Sequence, residues 1–349
     1  MKIIHFLCAL LPFILWDSYT LNFSPLSPKN EVSNPKIKGM TVVTAQQSIT
    51  TNTIQSLQEL GVNTITLLPF GFVKGKSPEI SFESVCRFPD CPFGEHTHTV
   101  LKASIDSAHS AGLQVVIKPH IWSFSQWSSE LNFKKEADWK LFENDYYDFI
   151  MTWVDIAIEK KVGLFCIGSE LHNFVDKRSI FWQKLIKDIR AKYTGKLTYG
   201  ANWNNYQQND LWEQLDYIGI NTYFPLSSDT TPSIDVLKEQ WQPIVHQLDS
   251  FSKAQDKPIL FTEWGYLSVD ACANRHWEIK ISKVKPNQQA QANSIEALLT
   301  LFSEKEWWAG GLQWKWYNDS ISTICEYRPG KDYTPQGKLA EKVLQKIYK

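Results

Sequence analysis

This sequence lacks a Cys-x-x-Cys pair, a glycine-rich turn after its first apolar strand and an excess of charge of either sign. Each absence removes a class of function. Without paired cysteines there is no basis for a zinc ribbon or a thioredoxin-like redox centre. After Val43 the chain reads Thr44, Ala45, Gln46, Gln47, so the phosphate-cradling turn of a doubly wound dinucleotide fold is missing. Thirty-six Lys and Arg against 37 Asp and Glu give a formal charge of −1, which leaves no surplus of cations to neutralise a nucleic-acid backbone. Glycine and proline number only 16 each, too few for a fibrous or low-complexity chain. Cysteines are six, and setting aside Cys8 leaves five, an odd number over a long chain that does not describe a disulfide-built scaffold. Cys86 and Cys91 are the best pair in an oxidising compartment and Cys272 with Cys325 the second, while Cys166 lies in an apolar strand as a buried thiol.

One apolar run stands at the N-terminus, from Phe6 to Trp16 behind Lys2. Its length suits the hydrophobic part of a secretory signal and is short for a bilayer span, so residues 1–20 predict export, with an uncleaved anchor as the alternative. Residues 21–36 are polar, rich in Ser, Asn and Pro, and read as a tether that need not pack. The folded domain is expected at 37–349.

What the sequence has in abundance is apolar and aromatic residues: 43% hydrophobic overall, with 15 Trp. So many large flat side chains imply a sizeable core and a cleft lined with rings. From Ile37 onward, short β-branched runs alternate with stretches of helical period. The strands are read as Lys38 to Val43, Thr64 to Leu68, Gln114 to His120, Gly163 to Glu170, Lys196 to Asn202, Tyr217 to Thr222, Pro258 to Glu263 and Gly310 to Trp316. Helices are expected at Thr51 to Leu60, Val100 to Ala111, Asn144 to Lys160 and Asn287 to Phe302, with glycines as stops. Eight such units describe an α/β fold, a single (β/α)8 TIM barrel. The fifth helix must be squeezed around Leu211 to Leu215. Long connections follow strands 2, 3 and 7 (71–97, 121–143 and 265–286), which places them on the catalytic face of a barrel.

Polar groups at the C-terminal ends of barrel strands are where substrate is met. Glu170 closes the apolar fourth strand and Glu263 the apolar seventh. Cleaving a glycosidic bond needs two carboxyl groups on opposite sides of it, one to protonate the leaving oxygen and one to attack the anomeric carbon or activate water. The competing reading is that each acid merely caps a strand and pairs with a nearby cation.

With these two acids in place, the chain resembles the retaining (β/α)8 glycosidases that carry their acid/base on strand four and their nucleophile on strand seven, and within them it is most similar to family 113 glycoside hydrolases, chiefly endo-β-1,4-mannanases. The likeness runs from about Ile37 to Tyr348. It rests on Lys38-Gly39-Met40, Lys118-Pro119-His120, Ile167-Gly168-Ser169-Glu170, Asn221-Thr222-Tyr223, Thr262-Glu263-Trp264-Gly265 and Trp314-Lys315-Trp316. The resemblance implies Glu170 as acid/base, Glu263 as nucleophile, Tyr223 as the group that holds the nucleophile, His120 and Asn202 as sugar contacts, and Trp314 or Trp316 as the platform under the reacting sugar. It implies no cofactor. One departure stands out: many members of the wider group have Asn just before the acid/base, where this chain has the shorter Ser169, so either Asn202 or a water takes over that contact with the sugar 2-hydroxyl, or the axial 2-hydroxyl of a mannose is read differently.

Sugar rings present flat C–H faces on which aromatic side chains stack. Trp122 and Trp127 in the third long loop, Trp203 after strand five, Trp264 after Glu263, and Trp277 in the seventh loop are read as cleft residues. Trp139, Trp153, Trp182, Trp241 and Trp307 fall in helical stretches and are read as packing. The partner is thus expected to be a β-linked polysaccharide or oligosaccharide; a monomer is expected as well, though no sequence feature sets the oligomeric state. Mannan is favoured, with glucan, galactan and chitosan as alternatives, since the loops and not the fold set that choice. Two rival classes remain: a metal-dependent hydrolase built on His96, His98, His120 and His172, and a carbohydrate-binding barrel without catalysis.

Overall fold

Caps mark where several of the barrel helices begin and end. The Thr50 side chain accepts a hydrogen bond from Thr53 N (3.1 Å) at the start of the first helix, and Gly61, at φ +84°, ends it in the left-handed conformation that glycine adopts freely. Ser233 and Asn287 cap the sixth and seventh helices in the same way, through Val236 N and Ala290 N. The computed structural model describes residues 35–44, 47–82, 98–318 and 330–349. The expected export segment and the tether up to residue 34 lie outside the described residues, as do Cys86, Cys91, Cys325 and His96. Lys36–Lys349 form one compact unit.

The strands are β1 (Ile37–Val43), β2 (Thr64–Leu67), β3 (Phe70–Val73), β4 (Ile80–Ser81), β5 (Gln114–Ile117), β6 (His120–Ser123), β7 (Leu164–Ser169), β8 (Lys196–Asn202), β9 (Ile218–Asn221), β10 (Ile259–Trp264) and β11 (Trp308–Tyr317). The helices are α1 (Thr51–Leu60), α2 (His98–Ser110), α3 (Glu136–Glu159), α4 (His172–Lys177), α5 (Ser179–Arg190), α6 (Ile234–Gln255), α7 (Gln288–Phe302) and α8 (Leu339–Tyr348). Eight strands close into a barrel in the order β1-β11-β10-β9-β8-β7-β5-β2, every neighbouring pair parallel. This is the expected (β/α)8 barrel. The fifth unit is the short one: no α-helix separates β8 from β9, only tight 3-10 turns, the second spanning Asp210–Gln214.

Helices cover the barrel with apolar stripes. In α5, Trp182, Leu185, Ile186 and Ile189 recur at helical spacing and are all buried, each contributing about 1.5–3 kcal/mol by leaving water. Trp139, Trp153 and Trp241 are buried in the same helix-to-sheet layer and Trp307 packs against it. Cys272 is a buried thiol 3.8 Å from Ser294 Oγ, and Cys325, its partner in the second expected disulfide, lies outside the described residues.

The third unit departs from the sequence reading. The barrel strand β5 stops at Ile117 and does not run on to His120, because Pro119 has no N–H to give to a ladder. The chain steps sideways there, and His120–Ser123 becomes β6 of a second, three-stranded sheet ordered β4-β3-β6. Phe70 to Val73 pair in parallel with His120 to Ser123, and β4 adds an antiparallel edge. Segments read as long connections after strands 2 and 3 therefore build a wall above the barrel mouth.

Candidate active site

Glu170 and Glu263 stand at the ends of β7 and β10, each beside an irregularity in strand register, between Cys166 and Ser169 in one case and Phe261 and Glu263 in the other. Such irregularities turn a side chain out of the regular alternation. Glu170 itself has φ +54°, a left-handed conformation that strains a residue with a Cβ, and it is held there by its N–H donating to Gly200 O (2.8 Å). Both carboxyl groups line one cavity of about 250 Å³, walled by Phe70, His120, Trp122, Trp127 and Trp314 among others.

Glu263 is buried among donors. Lys118, which has no exposed surface, donates from Nζ to Glu263 Oε1 (2.5 Å) and to Thr262 O (2.9 Å). Tyr223 Oη donates to Glu263 Oε2 (3.1 Å). Burial pushes the Glu263 carboxyl toward the neutral form, but the Lys118 ammonium and these hydrogen bonds outweigh it and hold the group below its ordinary range. His120 Nε2 lies 3.4 Å from Glu263 Oε1 but outside hydrogen-bond geometry. Burial and then the Lys118 charge drive the His120 pKa down to about 3 against the pull of Glu263, so His120 is neutral near pH 7 and the cation that acts on Glu263 is Lys118.

Glu170 is placed for the opposite state. Burial first, and then the negative charge of Glu263, push its pKa up to about 7; Asn221, Trp127 and Lys118 pull the other way. Asn221 Nδ2 donates to Glu170 Oε1 (2.8 Å) and to Ser169 Oγ (3.2 Å), and Trp127 Nε1 donates to Glu170 Oε2 (2.8 Å). The Asn221 amide is oriented by Thr262 Oγ1, which donates to its Oδ1 (2.8 Å), leaving only Nδ2 to face the acid. Gly200 keeps this cluster intact: a Cβ there would stand 2.8 Å from Ser169 Oγ and 3.2 Å from Asn221 Oδ1.

The structure thus brings together Glu170, Glu263, His120, Tyr223, Trp122 and Trp314. Trp314 stacks nearly parallel to His120, with ring centroids 6.3 Å apart and planes 8° off. Trp122 is 42% exposed at the cavity wall. Asn202 lies elsewhere, lining a small pocket beside Glu170 with His172 and Asp176, its Nδ2 donating to Ser129 Oγ at 3.5 Å. Trp203 is half-buried and stacked on Trp277, which is 45% exposed.

Two expectations are corrected. Trp264 is fully buried: alternation along β10 points it away from the mouth once Glu263 points in, so it joins the core. Trp316 is 3% exposed, because β11 runs on to Tyr317 and pairs Trp316 with Val42 inside the sheet. Neither presents a face to a sugar, and Trp314 alone of its pair reaches the cavity. Lys118 and Asn221, which touch the two acids, were not singled out by sequence reasoning, and Trp127, expected as a cleft residue for stacking, turns out to touch Glu170 as well. Lys118 and Asn221 stood in quoted motifs, and a lysine inside an apolar strand was the signal that asked for a buried anion. Among the described residues no three His, Cys, Asp or Glu side chains cluster as a metal site; His98 packs edge-on against Trp153 in the helical layer, away from His120.

The family model for Glycoside Hydrolase Family 113 matches residues 41–338. Among solved structures, the family 113 β-mannanase AaManA from Alicyclobacillus acidocaldarius, in complex with ManMIm, superposes with a TM-score of 0.75 at 22% identity, covering 90% of this chain and 97% of that one. A complex structure of a family 113 β-1,4-mannanase gives 0.75 at 21% identity, covering 90% and 99%. A β-glucuronidase from Ruminococcus gnavus gives 0.61 at 11%, with 90% of this chain matched to half of that one, a likeness of fold alone. No curated protein matches by sequence. A closed eight-stranded barrel with two glutamates in one cavity, matched by that model over most of its length, belongs to glycoside hydrolase family 113.

Proposed function

We propose that this enzyme cleaves internal β-1,4 linkages of mannan-type polysaccharides with retention, Glu263 attacking the anomeric carbon and Glu170 serving as acid and then base. The observation that carries the reading is the opposed charge state of two carboxyls in one cavity. Glu263 is kept ionised by Lys118, while burial beside that charge keeps Glu170 protonated up to about pH 7.

In the first step a Glu263 oxygen bonds to the anomeric carbon as the bond to the leaving oxygen breaks, and Glu170 gives that oxygen its proton. In the second, water attacks the same carbon, its proton passes to the Glu170 carboxylate, and the ester to Glu263 breaks. Tyr223 and Lys118 occupy one oxygen of Glu263 each and so fix its orientation for attack. Loss of the Glu263 charge on glycosylation removes the second-largest cause that raises Glu170, which favours the ionised form that the base needs.

The substrate class rests on family membership and on the β-mannanases among the similar structures. Internal cleavage is supported by exposed rings on different segments, Trp122 in β6 with Phe124 and Trp127 just after it, and Trp277 in the connection after β10, which can hold a chain at several sugars. The Lys2 and Phe6–Trp16 pattern supports export toward such polymers.

The test is product analysis on mannan, glucomannan, cellulose, galactan and chitosan, beside Glu170→Ala and Glu263→Ala. Oligosaccharides from mannan that vanish in both variants are expected. Cleavage of a different polymer would move the specificity, and turnover surviving in Glu263→Ala would overturn the mechanism.

A further inference from the structure

Glu170 is held by two groups of unlike character. Asn221, which donates to Oε1, is buried in β9 and oriented by Thr262, so it belongs to the rigid barrel. Trp127, which donates to Oε2, is 51% exposed and sits on the connection between β6 and α3. That connection also touches the strand ends through its next two residues: Ser128 Oγ donates to Glu170 O (3.5 Å), and Ser129 Oγ accepts from Asn202 Nδ2 (3.5 Å). Leu131, one residue past the 3-10 turn Ser128–Glu130, is buried and pins the segment to the core. A tryptophan ring nitrogen donates and never accepts, and the Asn221 amide is turned so that it too only donates. The pair therefore suits a carboxylate, which accepts at both oxygens. A neutral carboxyl needs an acceptor for its O–H, which the leaving oxygen of a bound sugar chain can supply; Oε1 is held from the barrel, while Oε2 is held only from the cleft-lining Trp127.

We infer that Trp127 is a positioning residue for the acid/base: its indole N–H yields Oε2 to the leaving oxygen in the first step and returns to hold the Glu170 carboxylate while it acts as base in the second. This inference rests on the assignment of Glu170 made above. It adds a residue carried by the cleft loop, not by the barrel, and couples the chemistry to the loop that also shapes the sugar-binding wall. Proton balance is unchanged, since Trp127 keeps its proton throughout and only exchanges the acceptor it faces.

Trp127→Phe deletes the donor and keeps a flat apolar ring, smaller than indole, at a half-exposed position where the fold is not at risk. Glutamate carrying ¹³C at its carboxyl gives a direct titration of Glu170, its resonance assigned by its loss in Glu170→Gln. The expected result is a Glu170 midpoint at higher pH in Trp127→Phe than in the parent enzyme, with the alkaline limb of kcat/KM moving up alongside it and the acidic limb unmoved. An unchanged Glu170 midpoint overturns the inference, as does a rise in KM alone, which would make Trp127 a stacking surface only. The parent enzyme separates the two levels: an alkaline limb that does not follow its own Glu170 midpoint would refute Glu170 as the acid, whereas the two midpoints compared decide the Trp127 contact by themselves.

Discussion

Replacing Lys118 by Met tests the electrostatic argument at its strongest point. The ammonium lies 2.5 Å from Glu263 Oε1, both groups are buried, and methionine fills similar volume without charge. At an effective dielectric near 20, two unit charges at that separation attract by roughly 6–7 kcal/mol, most of it offset by the cost of burying both ions. Removing one partner of such a pair costs about 3–5 kcal/mol, because the other charge is left buried alone. At about 2.1 cal/mol/K per residue over roughly 300 residues, that loss lowers Tm by about 5–8 °C near pH 7. The sign with pH is more telling than the size. In the parent enzyme Glu263 is held below its ordinary value, so it contributes stability above the unfolded-state pKa and loses it as pH falls through the folded one. Without Lys118, burial still raises Glu263, so the carboxyl then costs stability as pH rises. The Tm gap between the two proteins should therefore widen from pH 4 to pH 7, measured by calorimetry across that range. Activity should fall on the order of 10²–10³-fold near pH 6, the scale of losing one preorganised partner of a reacting charge, with the acidic limb displaced upward. A Tm gap independent of pH, or a variant within tenfold of the parent, would refute the claim that Lys118 keeps Glu263 ionised.

Four further outcomes are expected. The kcat/KM profile should lose activity as pH rises through about 7, where Glu170 gives up its proton, and as pH falls below the ordinary carboxylate range, where Glu263 gains one, as read from initial rates between pH 3 and 9. Glu170→Gln should match the parent in stability near pH 4 and exceed it near pH 8 by up to about 3 kcal/mol, read as a higher Tm there, because a raised acid loses stability as pH rises between its unfolded and folded values. Trp264→Ala should lose about 3–5 kcal/mol of stability through a core cavity, whereas Trp122→Ala should keep its Tm and raise KM, a contrast that thermal melts and Michaelis plots on one preparation resolve. Gly200→Ala should cost about 1–3 kcal/mol and depress kcat together, since its Cβ displaces Ser169 and Asn221; a fully active variant would show that the cluster tolerates displacement.

Much of the barrel was legible because each strand is an apolar run with its own stop signals: β8, for instance, spans Lys196–Asn202 as read from the sequence. The two acids were legible for the same reason, as the polar ends of such runs. The small sheet was not, because β4 is only two residues long and Phe70-Gly71-Phe72-Val73 sits directly behind Pro69, where a run of four carries no period of its own. Trp264 was misjudged by counting aromatic residues near a catalytic position without applying the two-residue alternation that turns it inward to the core. Tyr223 was anticipated as the partner of Glu263, but the partners of Glu170 escaped for a different reason. That Asn221 faces Glu170 follows from which atom Thr262 occupies, and that Trp127 reaches Glu170 across 43 positions follows from how a loop folds back, neither of which leaves a local pattern.

Pro119 gives the molecule a seam. On one side lie the closed barrel and the charged pair Lys118–Glu263, whose geometry tolerates little change. On the other lies a small sheet that carries His120 and Trp122 and owes its place to backbone pairing with Phe70–Val73. Inheritance or engineering that changes the region from 70 to 82 together with 120 to 135 therefore refits the cleft wall and, through Trp127, the hold on Glu170, while Lys118, Asn221 and Glu263 stay with the barrel.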